Sequence, residues 1–189
     1  TGGVYGTDDA GRTWRPRNKG VRAEFLPDKH PEFGQCVHKV VHHPAKPERL
    51  FLQNHWGLYR SDDWGDRWED IANGVPSDFG FAMAMHPTDP DTVYIVPMES
   101  DQFRCTPEAR MRVYRTRDAG GTWEALTNGL PQEHAYLTIL RDGKQVATAA
   151  LGTLTSLGRG RRFVLAGLLA LGFSGLGLLA GGLVALALG

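Results

Sequence analysis

The sequence predicts an all-β protein: a partial β-propeller of four-stranded antiparallel blades, followed by a hydrophobic tail that could form a helix. Three observations support this prediction. One motif recurs at intervals of 54 and 55 residues. The segments around its copies are short and rich in aromatic and β-branched residues, and Gly, Pro and Asp separate them. Four-stranded units that repeat every fifty-odd residues are typical of propellers.

The recurring motif reads Tyr-x-[Ser/Thr]-x-Asp-x-Gly-x-x-Trp and occurs three times. Its copies begin at Tyr5, Tyr59 and Tyr114, each preceded by an apolar residue. Three matches of this length at regular spacing indicate internal duplication rather than chance. We call the three copies the turn motifs. Their defining residues are Thr7, Asp9, Gly11 and Trp14, then Ser61, Asp63, Gly65 and Trp68, then Thr116, Asp118, Gly120 and Trp123.

Each repeat unit is interpreted as four strands. The strands predicted for the second unit cover 36–42, 50–54, 57–61 and 67–71, and those for the third cover 81–86, 92–98, 112–116 and 122–126. Residues 136–141 are interpreted as the first strand of a fourth unit. The chain would then hold the end of one blade, two whole blades and the beginning of another. Because closed propellers have about four to eight blades, further blades are implied.

The turn motifs have a mechanical explanation between the third and fourth strands. Each Asp can accept backbone N–H bonds across a tight turn. Each Gly suits a positive φ that other residues resist. Each Trp begins the fourth strand and can bury its ring against the next sheet. We therefore interpret these residues as structural rather than catalytic.

The motifs resemble the Asp-box, or bacterial neuraminidase repeat, of sialidase-like propellers. Similar boxes occur in xyloglucan-cleaving glycosidases, sortilin-type receptors and photosystem assembly factors. The stretches Gly-Gln-Cys-Val-His-Lys-Val at 34–40 and Glu-Ser-Asp-Gln-Phe-Arg-Cys at 99–105 are similar to bacterial proteins classed as sialidase-like glycosyl hydrolases. The resemblance covers about residues 1 to 142 and implies a propeller fold. Because the same repeat serves enzymes, receptors and scaffolds, the fold alone does not select an activity.

Charge composition narrows the classes of partner. The chain has 21 Lys and Arg against 21 Asp and Glu. This balance lacks the basic excess by which proteins attract nucleic acid, so we predict no nucleic-acid partner. A glycan or small carbohydrate is the ligand that the family resemblance suggests.

Residues 163–189 differ in composition from the rest of the chain. They contain no acidic or basic side chain and no Trp, Tyr or Pro. As a helix this segment would be about 40 Å long, enough for a bilayer core of about 30 Å. The arginines before it would then lie at the cytoplasmic end. We divide the chain into a partial propeller at 1–150, a basic linker at 151–162 and a hydrophobic segment at 163–189.

A membrane anchor is one interpretation of the hydrophobic segment, and a shifted reading frame or chimaeric end is another. We favour the second, because the segment interrupts a blade whereas an anchor should follow a finished domain. Membrane association is expected only if the segment is genuine. The first residue is Thr and no signal-peptide pattern is visible, so we expect the N-terminus to be missing and leave the compartment open.

Propeller topology indicates where a functional site would lie. If the turn motifs occupy one face, the connections between second and third strands, and those from one blade to the next, lie on the opposite face. Loops on such a face are free to vary and to carry function. The residues predicted for this rim are His30, Glu32, His38, Asn54, His55, Glu99, Asp101 and Arg104.

Two interpretations are open for the charged residues of the rim. Glu99 and Asp101 could be a catalytic carboxylate pair, with Arg104 clamping a substrate carboxylate as sialic acid recognition requires. His30, Glu32, His38, Asn54 and His55 would then bind substrate. Alternatively, Glu99, Asp101 and Arg104 form a solvated insert held by a surface ion pair.

The histidines and cysteines could serve other chemistry. His30, His38 and His55 could ligate a metal, but their spacing matches no standard signature, so no metal and no cofactor is predicted. Cys36 and Cys105 map to the same rim of neighbouring blades. They could pair in an oxidising compartment or remain thiols, and we favour thiols.

Two functional hypotheses follow from these observations. The first is a carbohydrate-related, sialidase-like or glycosyl-hydrolase-like propeller, an exo-sialidase-like glycoside hydrolase if it is active. The alternative is a non-catalytic propeller that binds a protein or glycan through the same rim. Either could be tethered to a membrane if the hydrophobic segment is genuine. None of the five Tyr stands out as a nucleophile.

Overall fold

The computed structural model describes residues 2–140, 145–147, 164–167 and 183–186. The regular structure in these residues is almost entirely β-sheet, with one short 3-10 helix at Pro107–Ala109. The strands form one two-stranded sheet and three four-stranded sheets, and hydrogen-bonded neighbours run antiparallel. The predicted all-β fold of four-stranded antiparallel blades is confirmed.

Successive sheets follow the chain in order. The first contains β1 (Tyr5–Gly6) and β2 (Arg15–Pro16). The second contains β3 (Val37–His43), β4 (Lys46–Asn54), β5 (Leu58–Ser61) and β6 (Glu69–Asp70), side by side in that order. The third repeats this order with β7 (Phe79–Met85), β8 (Val93–Met98), β9 (Val113–Thr116) and β10 (Glu124–Leu126).

The fourth sheet departs from this pattern. It contains β11 (Leu137–Ile139), β12 (Gln145–Ala147), β13 (Val164–Gly167) and β14 (Leu183–Leu186), arranged β11-β12-β14-β13. Two four-residue pieces of the hydrophobic segment are therefore strands, not the helix that its composition suggested. No helix among the described residues is long and apolar enough to span a bilayer. The linker at 151–162 and the rest of the segment lie outside the described residues.

Strand boundaries differ from the predicted ones at several places, and β4 begins at Lys46 rather than at 50. The first strand of the third unit begins at Phe79 rather than at 81, because Gly80 continues the extended backbone despite its low strand propensity. The outer strands β6 and β10 are only two and three residues long. They are short because backbone groups next to the motif Trp do not pair with the neighbouring strand. These groups bond to the motif Asp or to the preceding unit.

The hydrophobic core lies between sheets rather than within any one of them. One cluster joins the second and third sheets through Phe51, Leu58, Met83, Ile95 and Tyr114. Smaller clusters lie on either side of it. The cluster toward the first unit contains Val21, Leu52, Tyr59 and Trp68, and the cluster toward the fourth sheet contains Phe79, Met98, Met111, Ala135 and Ile139.

The three turn motifs have the same hydrogen-bond pattern. In the third, the Thr116 hydroxyl donates to Asp118 Oδ1 at 2.8 Å and accepts the Gly120 N–H at 2.7 Å. Asp118 Oδ1 also accepts the Thr122 N–H at 2.8 Å. These bonds, the Thr122 amide first, hold the pKa of Asp118 below its usual value. The equivalent bonds of the other motifs are made by Thr7, Asp9 and Gly11 and by Ser61, Asp63 and Gly65.

The motif tryptophans pack against the unit that precedes them in the chain. The Trp68 indole N–H donates to the Arg17 carbonyl at 2.8 Å, and Trp123 donates to the Ile71 carbonyl at 2.8 Å. Trp14 differs from the expectation of burial: its ring is 61% exposed, and its N–H donates to Gly11 within its own turn. The described residues place no sheet on the preceding side of Trp14 to cover the ring.

Candidate functional site

The candidate site lies at the end of the sheets opposite the turn motifs. In antiparallel neighbours, the β4–β5 and β8–β9 connections fall at the end away from the β5–β6 and β9–β10 connections. The loop at 18–36 joins this end, where Arg22 bonds to Tyr59 of β5 and to Asp78, the residue before β7. We call the residues of this end that contact one another the rim cluster: Phe25, Cys36, His38, His55, Trp56, Phe79, Phe81, Asp101 and Arg104.

Two equivalent β-bulges orient residues of the rim cluster. In the second sheet Val37 pairs with Asn54 and Lys39 with Gln53, which leaves His38 as the extra residue. In the third sheet a shift at the same place leaves Phe81 as the extra residue. A bulge redirects the side chain of its extra residue. The two redirected rings contact each other, with centroids 4.4 Å apart.

Aromatic and imidazole rings form the centre of the cluster. The His55 ring lies 4.2 Å from the Trp56 ring and 5.2 Å from Phe79, centroid to centroid. His38 lies 5.4 Å from His55 in an edge-on arrangement. Phe25, from the loop at 18–36, extends the series with its centroid 5.0 Å from Trp56. The edge-on and tilted geometries are those that aromatic pairs prefer.

Charged groups from the β8–β9 connection lie on this surface. Asp101 Oδ2 is 3.3 Å from His55 Nε2, and both side chains are partly exposed. The Arg104 guanidinium lies over the Phe81 ring at 5.6 Å, within the range of a cation–π contact. Arg104 is anchored through its backbone, because its carbonyl accepts the Thr138 hydroxyl at 2.6 Å. The connection is thus held against the next unit while its charges face the rim.

Cys36, His38 and His55 bring three metal-ligating atoms together. One such atom from each residue lies within 4.8 Å of the other two. Cys36 Sγ is 3.9 Å from His38 Nε2, and the other imidazole nitrogen of His38, Nδ1, is 2.7 Å from the Gly80 carbonyl. Both cysteines, Cys36 and Cys105, are free thiols. The structure thus groups Cys36 with two histidines, a combination that the sequence analysis did not consider.

Buried hydrogen bonds support the rim from beneath. The Tyr59 hydroxyl donates to the Trp56 carbonyl at 2.6 Å and accepts from Arg22 Nε at 3.2 Å. Burial raises the pKa of Tyr59, which keeps the hydroxyl a neutral donor. Asn54 is fully buried and donates to the Arg22 carbonyl at 2.7 Å. These bonds tie the turn that carries His55 and Trp56 to the first long loop.

The remaining predicted site residues have other surroundings. His30 and Glu32 are exposed on the first long loop; the His30 N–H donates to Asp28 Oδ1, and the Glu32 carbonyl accepts from Asn18. Glu99 is exposed, and its backbone closes the β8–β9 connection by donating to the Cys105 carbonyl at 2.7 Å. The described contacts place His38, His55, Asp101 and Arg104 in one cluster and do not include His30, Glu32 or Glu99 in it.

Several members of the cluster were missed by the sequence reasoning. Phe25, Trp56, Phe79 and Phe81 are not among the predicted site residues, and Cys36 was predicted only as a free thiol or a disulfide partner of Cys105, with no ligand role. The signal for Phe81 was weak, because a bulge interrupts the alternation of exposed and buried residues that a strand normally shows. His55-Trp56, two ring side chains in a connection of three residues, was the clearest available signal.

A family model named Sortilin-Vps10, described as "Sortilin, neurotensin receptor 3", matches residues 2–133 of this chain. The matched span includes the three turn motifs and every residue of the rim cluster. Among solved structures, an ancestral GH74 enzyme is similar to the chain, with 15% sequence identity and a TM-score of 0.45. That match covers 74% of this chain and 16% of the enzyme. No curated protein matches at a significant level.

Proposed function

This chain belongs to the Sortilin-Vps10 family of β-propellers. We propose that the rim cluster of this propeller binds a carbohydrate. The observation that carries the proposal is the series of rings from Phe25 through Trp56 and His55 to Phe79 and Phe81, at the loop end of the sheets. Binding sites commonly combine aromatic surfaces with a few placed polar groups.

The chemistry of a sugar fits the two kinds of group on the rim. The C–H face of a pyranose ring is apolar and can stack on an aromatic side chain such as Trp56, which is partly exposed. Sugar hydroxyl groups donate and accept hydrogen bonds, and Asp101 and Arg104 offer an acceptor and a donor beside the rings. A sugar with a carboxylate would add a charge-assisted bond to Arg104.

Catalysis is the second candidate. Its support is that Asp101 and Arg104, two of the three residues predicted for hydrolysis, lie on the rim cluster. Glu99 and Asp101 would be the catalytic carboxylates. Both residues are exposed, whereas a general acid in a glycosidase is commonly set in an apolar pocket. We therefore place binding first and exo-sialidase-like hydrolysis second.

A receptor-type role is compatible with binding without catalysis. The description of the matching family names a neurotensin receptor. On that basis the ligand of a non-catalytic rim could be a protein or peptide instead of a glycan. The glycan-binding experiment described next distinguishes the two ligands, because a rim that binds only peptides would bind no glycan.

The test is glycan binding by the full chain, measured by array screening and then by calorimetry. We expect Trp56→Ala to weaken glycan binding roughly tenfold or more, as loss of an aromatic anchor does. Trp64→Ala is the matched control, because Trp64 is an exposed tryptophan of the second turn motif, on the opposite face. Equal losses of glycan affinity in both variants would contradict the proposal. So would a screen in which the unchanged protein binds no glycan.

Turnover separates the two candidates. Aryl-sialosides and aryl-glycosides are incubated with the unchanged protein and with Glu99→Gln and Asp101→Asn. Turnover that both substitutions abolish would establish hydrolysis. Glycan binding with no turnover on the panel would exclude hydrolysis and leave the binding role.

A further inference from the structure

We propose that Cys36, His38 and His55 form a zinc-binding site on the rim. The zinc site shares His55 with the ring series, but the argument for it does not depend on carbohydrate binding, because it rests on the positions of a sulfur and two imidazole rings. The three residues lie at the same end of neighbouring strands: Cys36 immediately precedes β3, His38 is the second residue of β3, and His55 immediately follows β4.

The ligand atoms are already close to the separation that zinc requires. Zn–S bonds are about 2.3 Å and Zn–N bonds about 2.0 to 2.1 Å, so ligand atoms of a tetrahedral site are roughly 3.5 Å apart. Cys36 Sγ and His38 Nε2 are 3.9 Å apart, and all three ligand atoms lie within 4.8 Å of one another. Small side-chain rotations would complete the geometry.

The backbone holds the ligands in this arrangement. The His55 N–H donates to the Cys36 carbonyl at 2.9 Å, which fixes the turn beside the start of β3. The bulge at His38 directs its ring out of the regular alternation toward Cys36 and His55. The three residues are therefore brought together by main-chain structure, not by contacts between flexible side chains.

Each histidine also has the outer partner that a metal-bound imidazole usually has. Metal-ligating histidines donate their second ring N–H to a carbonyl or carboxylate, which selects the tautomer that can bind the ion. His38 Nδ1 is 2.7 Å from the Gly80 carbonyl, which leaves Nε2 as the nitrogen nearer Cys36. His55 Nε2 is 3.3 Å from Asp101 Oδ2, so in the proposed site Nδ1 would bind the zinc.

The ligand set favours zinc over other common divalent ions. Thiolate and imidazole suit zinc, whereas magnesium and calcium prefer oxygen ligands. Binding converts the Cys36 thiol to a thiolate and releases its proton to solvent, while both imidazoles bind as neutral groups. Three protein ligands leave a fourth position for water or a bound ligand. Cys36 and His55 are only half-buried, so an ion can enter from the solvent.

Metal titration of the full chain tests the site. The protein is stripped with a chelator, dialysed, and titrated with zinc and with cobalt as a spectroscopic substitute. We expect one zinc per chain, and a thiolate-to-cobalt charge-transfer band. Cys36→Ser and His55→Gln should abolish both. Asp101→Asn, which removes only the outer partner of His55, should weaken zinc binding about 10- to 100-fold.

Matched controls use residues of the same type outside the cluster. Cys105→Ser removes the other free thiol, and His42→Gln removes an exposed histidine of the same strand as His38. Both should bind zinc as the unchanged protein does. Failure of the unchanged protein to bind zinc, or full zinc binding by Cys36→Ser, would overturn the proposal.

A measurement on the unchanged protein avoids dependence on the folding of variants. Iodoacetamide alkylation is followed by mass spectrometry at both half-buried cysteines, with and without zinc. Zinc should protect Cys36 and leave the rate at Cys105 unchanged. Equal rates at Cys36 in both conditions would overturn the proposal.

Discussion

The two ends of the four-stranded sheets differ in how they repeat. At one end, the three turn motifs make the same hydrogen bonds in every unit, from hydroxyl to carboxylate and from amide to carboxylate. At the other end, the connections differ in length and content: His55-Trp56-Gly57 in the second sheet, and a segment containing a 3-10 helix in the third. The first end joins strands in a constant way, while the second differs from one sheet to the next.

This contrast suggests that the turn face stabilises the fold and that the rim carries the proposed binding. The turn motifs connect neighbouring units, because buried Trp68 and partly buried Trp123 each donate to a carbonyl of the unit before it. The rim residues connect mainly to one another through rings and charges near solvent. Substitutions at the turn face should therefore change the free energy of unfolding, whereas substitutions at the rim should change binding.

The largest expected effect is at Trp68. Its ring is 3% exposed, packs with Val21, Leu52 and Tyr59, and donates to the Arg17 carbonyl. Trp68→Ala should lower the free energy of unfolding by about 3 to 5 kcal/mol, because it leaves a large cavity between two units. Urea unfolding followed by far-ultraviolet circular dichroism measures the change.

Trp14→Ala is the matched control for Trp68→Ala, since it removes the same side chain from the equivalent position of the first motif. Trp14 is exposed and bonds only within its own turn in the described residues. Its removal should cost less than about 1 kcal/mol. Similar costs for the two variants would show that burial against the preceding unit does not determine the role of the motif Trp.

A smaller effect is expected at Gly120. Its φ is +93°, and a Cβ placed there would lie 2.6 Å from Ile71 Cδ1 in the unit before it. Gly120→Ala should cost about 2 to 4 kcal/mol, since a left-handed backbone penalty adds to overpacking between two sheets. The same urea experiment measures this cost.

Gly129→Ala is the control that separates the backbone penalty from the overpacking in the cost of Gly120→Ala. Gly129 has a φ of +77°, and a Cβ there would meet nothing within 4 Å. It should show only the backbone penalty of about 1 to 2 kcal/mol. If Gly120→Ala costs no more than Gly129→Ala, the approach of the turn to Ile71 contributes nothing to stability.

The smallest expected effect concerns the pH dependence from Asp118. Hydrogen bonds, from the Thr122 amide first, lower the pKa of Asp118 in the folded state from its usual 3.8. A carboxyl group with a lowered folded-state pKa stabilises the protein above its unfolded pKa, and this stabilisation is lost as the pH falls through the folded-state pKa. The loss should therefore begin as the pH approaches the usual value of 3.8 and be complete only below the lowered folded-state pKa.

Asp118→Asn should cost about 1 kcal/mol near neutral pH, since solvent screens the charge-assisted bonds of this exposed carboxylate. The difference from the unchanged protein should shrink in acid, where both side chains are neutral. Asp101→Asn, on the rim, should change the free energy of unfolding near neutral pH by less than about 0.5 kcal/mol. If Asp101→Asn lowered the free energy of unfolding more than Asp118→Asn, the turn face would not be the more stabilising end of the sheets.

The candidate site was less predictable than the fold. Topology alone directed attention to His38, His55, Asp101 and Arg104, because it specifies which connections share an end of the sheets. The membership of Phe81 and the grouping of Cys36 with two histidines depended on bulges. A bulge adds one residue to a strand and changes which side chains share a face, and no local residue pattern here identified its position.

The amino-acid sequence was sufficient to predict the repeat, the four strands of each complete unit and the turn residues. It could do so because Ser/Thr, Asp and Gly act within five residues of one another, so that local chemistry is sufficient. Tertiary contacts were needed to show that Trp68 is buried and Trp14 is not. They were also needed to show that Cys36, His38 and His55 lie close together. Those outcomes depend on which unit packs beside each residue and on the register between strands, and both are set by contacts between residues distant in the chain.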